Sequence, residues 1–186
     1  MTSSRPRPLD PRKLDVRAFA AAAGSLSGET TQSDLPRLAA SVLALADTPP
    51  APVQWSVQGA LRPVTGGAPV VALQLQAHTT VALQCQRCLR PLQEAIEIDR
   101  RFRFVGDEDE AARLDEEDDD EDVLVASRAF DLLGLVEDEL ILALPIVPRH
   151  AECPQPLPLA AADEAGEAAP NPFAALAALR RPPSGD

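Results

Sequence analysis

VVALQLQAHTTVALQ, residues 70–84, alternates apolar and polar side chains for most of its length. Val71, Leu73, Leu75, Val81 and Leu83 fall on one side; Gln74, Gln76, His78, Thr80 and Gln84 fall on the other. Successive side chains of an extended chain point to opposite faces, so this spacing predicts a strand with one apolar face. VQWSVQGALR, residues 53–62, repeats the pattern, with Val53, Trp55, Val57 and Leu61 set against Gln54, Ser56, Gln58 and Arg62. EAIEIDRRFRFV, residues 94–105, sets Ile96, Ile98, Phe102 and Phe104 against Glu97, Asp99, Arg101 and Arg103. A turn at Gly66-Gly67 separates the first two segments. Three period-2 segments predict an antiparallel sheet that is dry on one face and wet on the other.

The flanks read as helices and loops. Residues 14–24 (LDVRAFAAAAG) predict a short helix with Leu14, Phe19 and Ala23 near one face and Gly24 as its stop. Residues 25–33 read as a loop, and 35–46 as a second short helix with Pro36 in its first turn. Residues 123–126 (VLVA) predict a short strand. Residues 129–144 predict a helix with Phe130, Leu133, Leu140 and Leu144 inward, Glu137 and Asp138 outward, and Pro145 at its end. Residues 1–13 form an Arg/Pro-rich arm expected to be disordered. Residues 154–186 form a Pro/Ala-rich tail with a short helix at 172–180. The expected fold is α+β: one domain, 14–153, with an antiparallel sheet, flanking helices and flexible ends.

Composition narrows the function. No run of about 18 apolar residues is present, so no membrane span is expected, and no secretory signal is visible. Three Cys are too few for a secreted disulfide scaffold, so the expected compartment is the cytoplasm. The chain carries a net charge of −12, but residues 106–122 (GDEDEAARLDEEDDDED) alone account for −11 of it. That run predicts a solvated, disordered acidic loop and leaves the rest of the chain near neutral. Between residues 53 and 105, six Arg oppose three acids. Arg87 and Arg90 flank a turn, while Arg101 and Arg103 share the polar sheet face, where they suit contact with RNA phosphates and 2′-hydroxyls.

The strongest chemical signal is Cys85-Gln-Arg-Cys88, between two strands. Two thiolates on a tight turn suit a soft metal, usually Zn²⁺, and His150 and Cys153 supply two further ligands. Simple packing of these Cys and redox chemistry stay open as alternatives, although a redox CxxC favours a helix N-terminus. A nucleophilic Cys paired with His78 or His150 has no orienting motif beside it. No P-loop or nucleophile elbow is present, so no enzymatic activity is expected. In the tail, Phe173, Leu176 and Leu179 lie at helical spacing and are candidates for docking on the body or on a partner.

CQRCLRPL at 85–92 with its preceding strand, DLLGLVEDELILALP at 131–145 with Pro148, His150 and Cys153 after it, and NPFAALAAL at 171–179 together resemble the YceD family. These are the large ribosomal RNA subunit accumulation proteins of bacteria, and the resemblance covers roughly residues 9–180. The acidic stretch is longer than that pattern. The resemblance implies a non-enzymatic role in the synthesis, processing or stability of 23S ribosomal RNA. It makes Cys85 and Cys88 the family's CxxC, with His150 and Cys153 as candidate partners. The expected partners are ribosomal RNA or its precursors, or a ribosomal or RNA-processing protein, with no membrane and no small-molecule substrate. Two other readings compete: a protein-binding adaptor that never touches RNA, and a small zinc-binding structural module.

Overall fold

The structure is a computed structural model that describes residues 9–64, 66–115 and 121–154. Helix α1 (Val16–Ala21) comes first, followed by strand β1 (Ser25–Thr30), a 3-10 turn (Gln32–Asp34) and helix α2 (Pro36–Ser41). Strands β2 (Val53–Arg62), β3 (Val70–Gln84) and β4 (Pro91–Val105) form the centre. Helix α3 (Glu108–Asp115), strand β5 (Asp122–Val125) and helix α4 (Leu132–Leu142) follow among the described residues. The segment 172–180, with Phe173, Leu176 and Leu179, lies outside the described residues.

The sheet order is β1-β2-β3-β4-β5. The first four strands pair antiparallel; for β2, β3 and β4 the alternation predicts this, and β2 and β3 keep their predicted bounds. Strand β5 adds a parallel edge to β4, with Phe102 opposite Asp122 and Val105 opposite Val125. The α+β reading therefore holds, with a mixed rather than purely antiparallel sheet.

The dry face carries Val53, Val57, Leu73, Leu75, Val81, Ile96, Phe102 and Phe104, covered by α1 and α4. Asp15 caps α1 through Ala18 N–H, and Asp131 caps α4 through Gly134 N–H at 2.9 Å. A bridge between Leu14 and Phe130 ties the entries of the two helices together. Phe130 also stacks edge-on against Phe104, with ring centres 5.2 Å apart. Helix α1 sits close to the sheet at Gly59, where an added Cβ would come within 2.7 Å of the Phe19 ring and 3.0 Å of Ala20 Cα. Residues 10–13, expected in the arm, form a turn whose Pro11 carbonyl accepts from Leu132 N–H.

Three expectations are corrected. Residues 25–33, read as a loop, contain β1. Its sequence SLSGET has no apolar alternation because it is an edge strand, and Gly28 lies opposite Trp55. The acidic run 106–122, read as a solvated loop, contains α3 and the first residue of β5. Ala111 and Leu114 pack with Val105, Val123 and Val125 in a second small core. Val105 alternates against Phe102 and Phe104, so α3 lies on the otherwise wet face. Glu137, read as outward, is buried. Its carboxylate accepts from Arg37 N–H at 2.6 Å and Leu38 N–H at 3.1 Å. Those are orphan donors of α2, whose own N-cap Leu35 provides no side-chain bond, so Glu137 caps α2 from across the fold. No helix among the described residues is long and apolar enough to cross a membrane.

Candidate metal centre and nucleic-acid interface

The turn joining β3 to β4 is a tight knuckle. Cys85 N–H bonds the Arg90 carbonyl, and Leu89 N–H bonds the Cys85 carbonyl, both at 2.9 Å. Leu89 takes a left-handed φ of 59°, which lets the chain reverse within the CQRCLR stretch. Helix α4 packs on the dry face and α2, and the chain after it returns to the knuckle. Gln86 N–H donates to the Pro148 carbonyl at 2.9 Å, fixing that return.

His150 and Cys153 thereby meet Cys85 and Cys88. One ligand atom from each of the four residues lies within 4.8 Å of every other. Cys85 Sγ and Cys153 Sγ are 3.9 Å apart, and Cys88 Sγ and His150 Nδ1 are 3.4 Å apart. A tetrahedral zinc ion, with bonds of about 2.3 Å to sulfur and about 2.0–2.1 Å to nitrogen, separates sulfur pairs by about 3.8 Å and sulfur–nitrogen pairs by about 3.5 Å. Both distances agree with that geometry. The donor set therefore suits a closed zinc site and is far from a disulfide, whose sulfurs sit about 2.05 Å apart. The second ring nitrogen of His150 lies 3.1 Å from the Pro91 carbonyl, so an Nε2–H donated there leaves Nδ1 free to face the sulfurs.

The electrostatics fit a thiolate centre. Burial opposes ionisation of Cys85. Donors from the His150, Cys88 and Arg87 backbones and from the His150 ring outweigh it and hold its pKa at about 5. The Arg87 N–H lies 3.4 Å from Cys85 Sγ. Burial and the neighbouring thiols of Cys88 and Cys85 push Cys153 the other way, above its usual value. An ion would relieve that crowding by sharing the negative charge. His78 takes no part: it faces the wet side opposite Glu97, so the pairing of a Cys with His78 does not form. The CxxC lies between strands and not at a helix N-terminus, which removes the thioredoxin-like arrangement. Among the described residues no second group of metal-ligating side chains assembles.

The four sequence-predicted arginines do not form one patch. Arg87 and Arg90 sit on the knuckle. Arg101 and Arg103 lie near the other end of β4, ten residues beyond Pro91 in the case of Arg101. At the usual strand rise that is a gap of roughly 33 Å. The wet face between them is split in charge. An open trough of about 1140 Å³ holds Glu29, Glu97 and Asp99 beside His78. A smaller cleft of about 360 Å³ gathers Arg62, Arg101 and Arg103 with Glu121. Arg62 was not among the residues singled out from the sequence. Its membership follows from register, since Arg62 pairs with Val70 on β3 and Arg103 with Ala72.

Arg100, immediately before Arg101 on the chain, faces the helices instead. It pairs with Asp122 at 2.6 Å and with the buried Glu139 of α4 at 3.3 Å. Burial raises the Glu139 pKa, and the Arg100 charge opposes that rise.

Together these features define a small α+β sheet domain with a three-Cys, one-His cluster at one end and an arginine cleft at the other. The family described as Large ribosomal RNA subunit accumulation protein YceD matches residues 73–180, and the chain belongs to it. A protein of Haemophilus influenzae bearing that same description is 34% identical over 117 residues, covering 60% of this chain and 67% of that one. No solved structure matches. Membership assigns the chain a role in large-subunit ribosomal RNA accumulation, and the family's description refers to accumulation rather than to a reaction.

Proposed function

We propose that this chain is a non-enzymatic, cytoplasmic factor of 23S ribosomal RNA synthesis, processing or stability that contacts the RNA or its precursor directly. The observation that carries the contact is the arginine cleft on the wet sheet face, which gathers Arg62, Arg101 and Arg103. The side chains of Arg101 and Arg103 make no hydrogen bond or ion pair among the described residues, which suits their guanidinium groups to phosphates. Arg87 and Arg90 offer a second contact beside the knuckle. The cluster of Cys85, Cys88, His150 and Cys153 holds a structural Zn²⁺ that fastens the chain after α4 to the β3–β4 turn. Phe173, Leu176 and Leu179 remain a candidate docking stripe for the body or a protein partner.

Direct contact through phosphates has a defined salt signature, because each neutralised phosphate releases counterions. The double variant Arg101→Ala/Arg103→Ala is expected to bind a 23S ribosomal RNA transcript about ten-fold more weakly at about 0.15 M salt. Its slope of log affinity against log salt should be shallower by about 1.4–1.8. Titration across a salt series reads both. Affinity and slope equal to those of the unaltered chain would remove the arginine pair from the interface and favour the adaptor reading.

A further inference from the structure

The arginine cleft is already engaged from within. Arg62 forks onto Glu121: Nη1 donates to one carboxylate oxygen at 2.5 Å, and Nη2 donates to the other. Glu121 is nearly shut off from solvent, its side chain 10% exposed, while Arg62 is 43% exposed. The third guanidinium nitrogen of Arg62, Nε, is buried, and its N–H has no acceptor among the described residues. A planar guanidinium presents the same fork to a carboxylate and to a phosphate, so Glu121 occupies a position that a phosphate group would otherwise take.

The carboxylate is delivered from the start of a paired strand. Glu121 directly precedes β5, and Asp122 is pinned by pairing opposite Phe102 and by its ion pair with Arg100. Tethering of this kind gives Glu121 a high local concentration at the fork and lets it compete with any free anion. Arg101 and Arg103 line the same cleft without such a partner among the described residues.

We infer that Arg62, Arg101 and Arg103 form one RNA backbone-phosphate site whose Arg62 fork is held in the free protein by Glu121, an internal phosphate mimic. The inference rests on the RNA-contact reading and adds a residue and a restraint to it. A single small anion meets Arg101 and Arg103 but must evict Glu121 to reach Arg62. A run of RNA phosphates engages all three and displaces the carboxylate. The restraint lowers affinity for stray anions and favours a correctly spaced polyanion.

The test uses the full chain and a 20-base-pair RNA duplex as probe, titrated across a salt series. Glu121→Gln keeps the size of the side chain, removes the charge that holds the fork and replaces one of its two acceptor oxygens by an NH2 donor. It is expected to raise affinity about 5- to 10-fold and to steepen the salt slope by about 0.7–0.9, the signature of one more neutralised phosphate. Arg62→Ala in the Glu121→Gln background should cancel that gain. Asp109→Asn on α3 removes one negative charge without touching the fork and should change affinity less than two-fold. Glu121→Asp retains the charge but shortens its reach, serves as the second variant if Glu121→Gln melts early, and should recover much of the gain.

An unchanged affinity in both Glu121 variants, with the Arg101/Arg103 dependence intact, overturns the inference and leaves the RNA-contact reading standing. An equal gain from Asp109→Asn overturns it too, because net charge would then explain the effect. Loss of the Arg101/Arg103 dependence itself overturns the reading and the inference together.

Discussion

Cys85→Ser is expected to leave the purified chain with little zinc and to lower its melting temperature by about 6–20 °C. The unaltered chain should carry close to one ion. A closed tetrahedral site needs all four donors, and Cys85 is fully buried at its centre. The cluster joins positions 68 residues apart at Cys85–Cys153 and 62 residues apart at Cys88–His150. An ion there acts as a cross-link, stabilising in part by restricting the unfolded chain. The sheet and helices have a core of their own, so loss of the ion is expected to cost about 3–5 kcal/mol rather than abolish folding. In a domain of this size each kcal/mol moves the midpoint by about 2–4 °C. A strong chelator should reproduce the fall in the unaltered chain and do nothing further to Cys85→Ser. Elemental analysis and thermal melts read both effects; metal-free protein that melts unchanged would dismiss the zinc assignment.

Glu137→Ala is expected to cost about 2–3 kcal/mol, or about 4–12 °C in melting temperature. The substitution removes the cap of α2 and leaves the N–H groups of Arg37 and Leu38 without their acceptor. Arg37 also loses its bond from Nε to the carboxylate at 3.0 Å, but its side chain is 56% exposed and stays hydrated, which limits the cost. The same group shapes the acid limb of the stability curve. Burial alone would raise the Glu137 pKa, but the Leu38 N–H, the Arg37 guanidinium and the Arg37 N–H overcome it and hold the carboxyl below its ordinary value. The unfolded chain therefore takes up the proton first. The stabilisation from Glu137 is complete above the ordinary carboxylate pKa of about 4.3 and is lost as pH falls through the lower folded value. Glu137→Gln should accordingly differ most from the unaltered chain near neutral pH and converge on it in strong acid. Denaturant midpoints across pH read the difference; a constant gap down to the lowest pH would contradict this account of the cap.

Both effects depend on contacts that span the chain, and here the sequence is hardest to read. Strands β2 and β3 are legible to the residue because they alternate for most of their length and nearly all their inner positions are apolar, Thr79 being the polar one. Strand β4 begins at Pro91 instead of 94 because its first residues pair with β3 beyond the knuckle, which no local signal marks. Strand β1 is hidden because it has few apolar side chains to alternate, and Gly28 leaves room for Trp55. In the acidic run, charge masks Ala111 and Leu114, the two residues that dock α3. Glu137 reads as outward on helical spacing because its partners lie 100 residues away on α2. The four metal-ligand candidates are legible by type and spacing. Their meeting is not, since it depends on the path of the chain beyond α4. Arg87 and Arg90 on the knuckle and Arg101 and Arg103 on the wet face lie toward opposite ends of β4, and Arg62 joins the second pair from another strand, an association that only the register shows.

The most direct test of the central claim is the ratio of 23S to 16S ribosomal RNA, with their precursors, in cells depleted of this chain. The account predicts a selective fall in 23S that is restored by the unaltered chain and not by Arg101→Ala/Arg103→Ala. An unchanged ratio on depletion would contradict it.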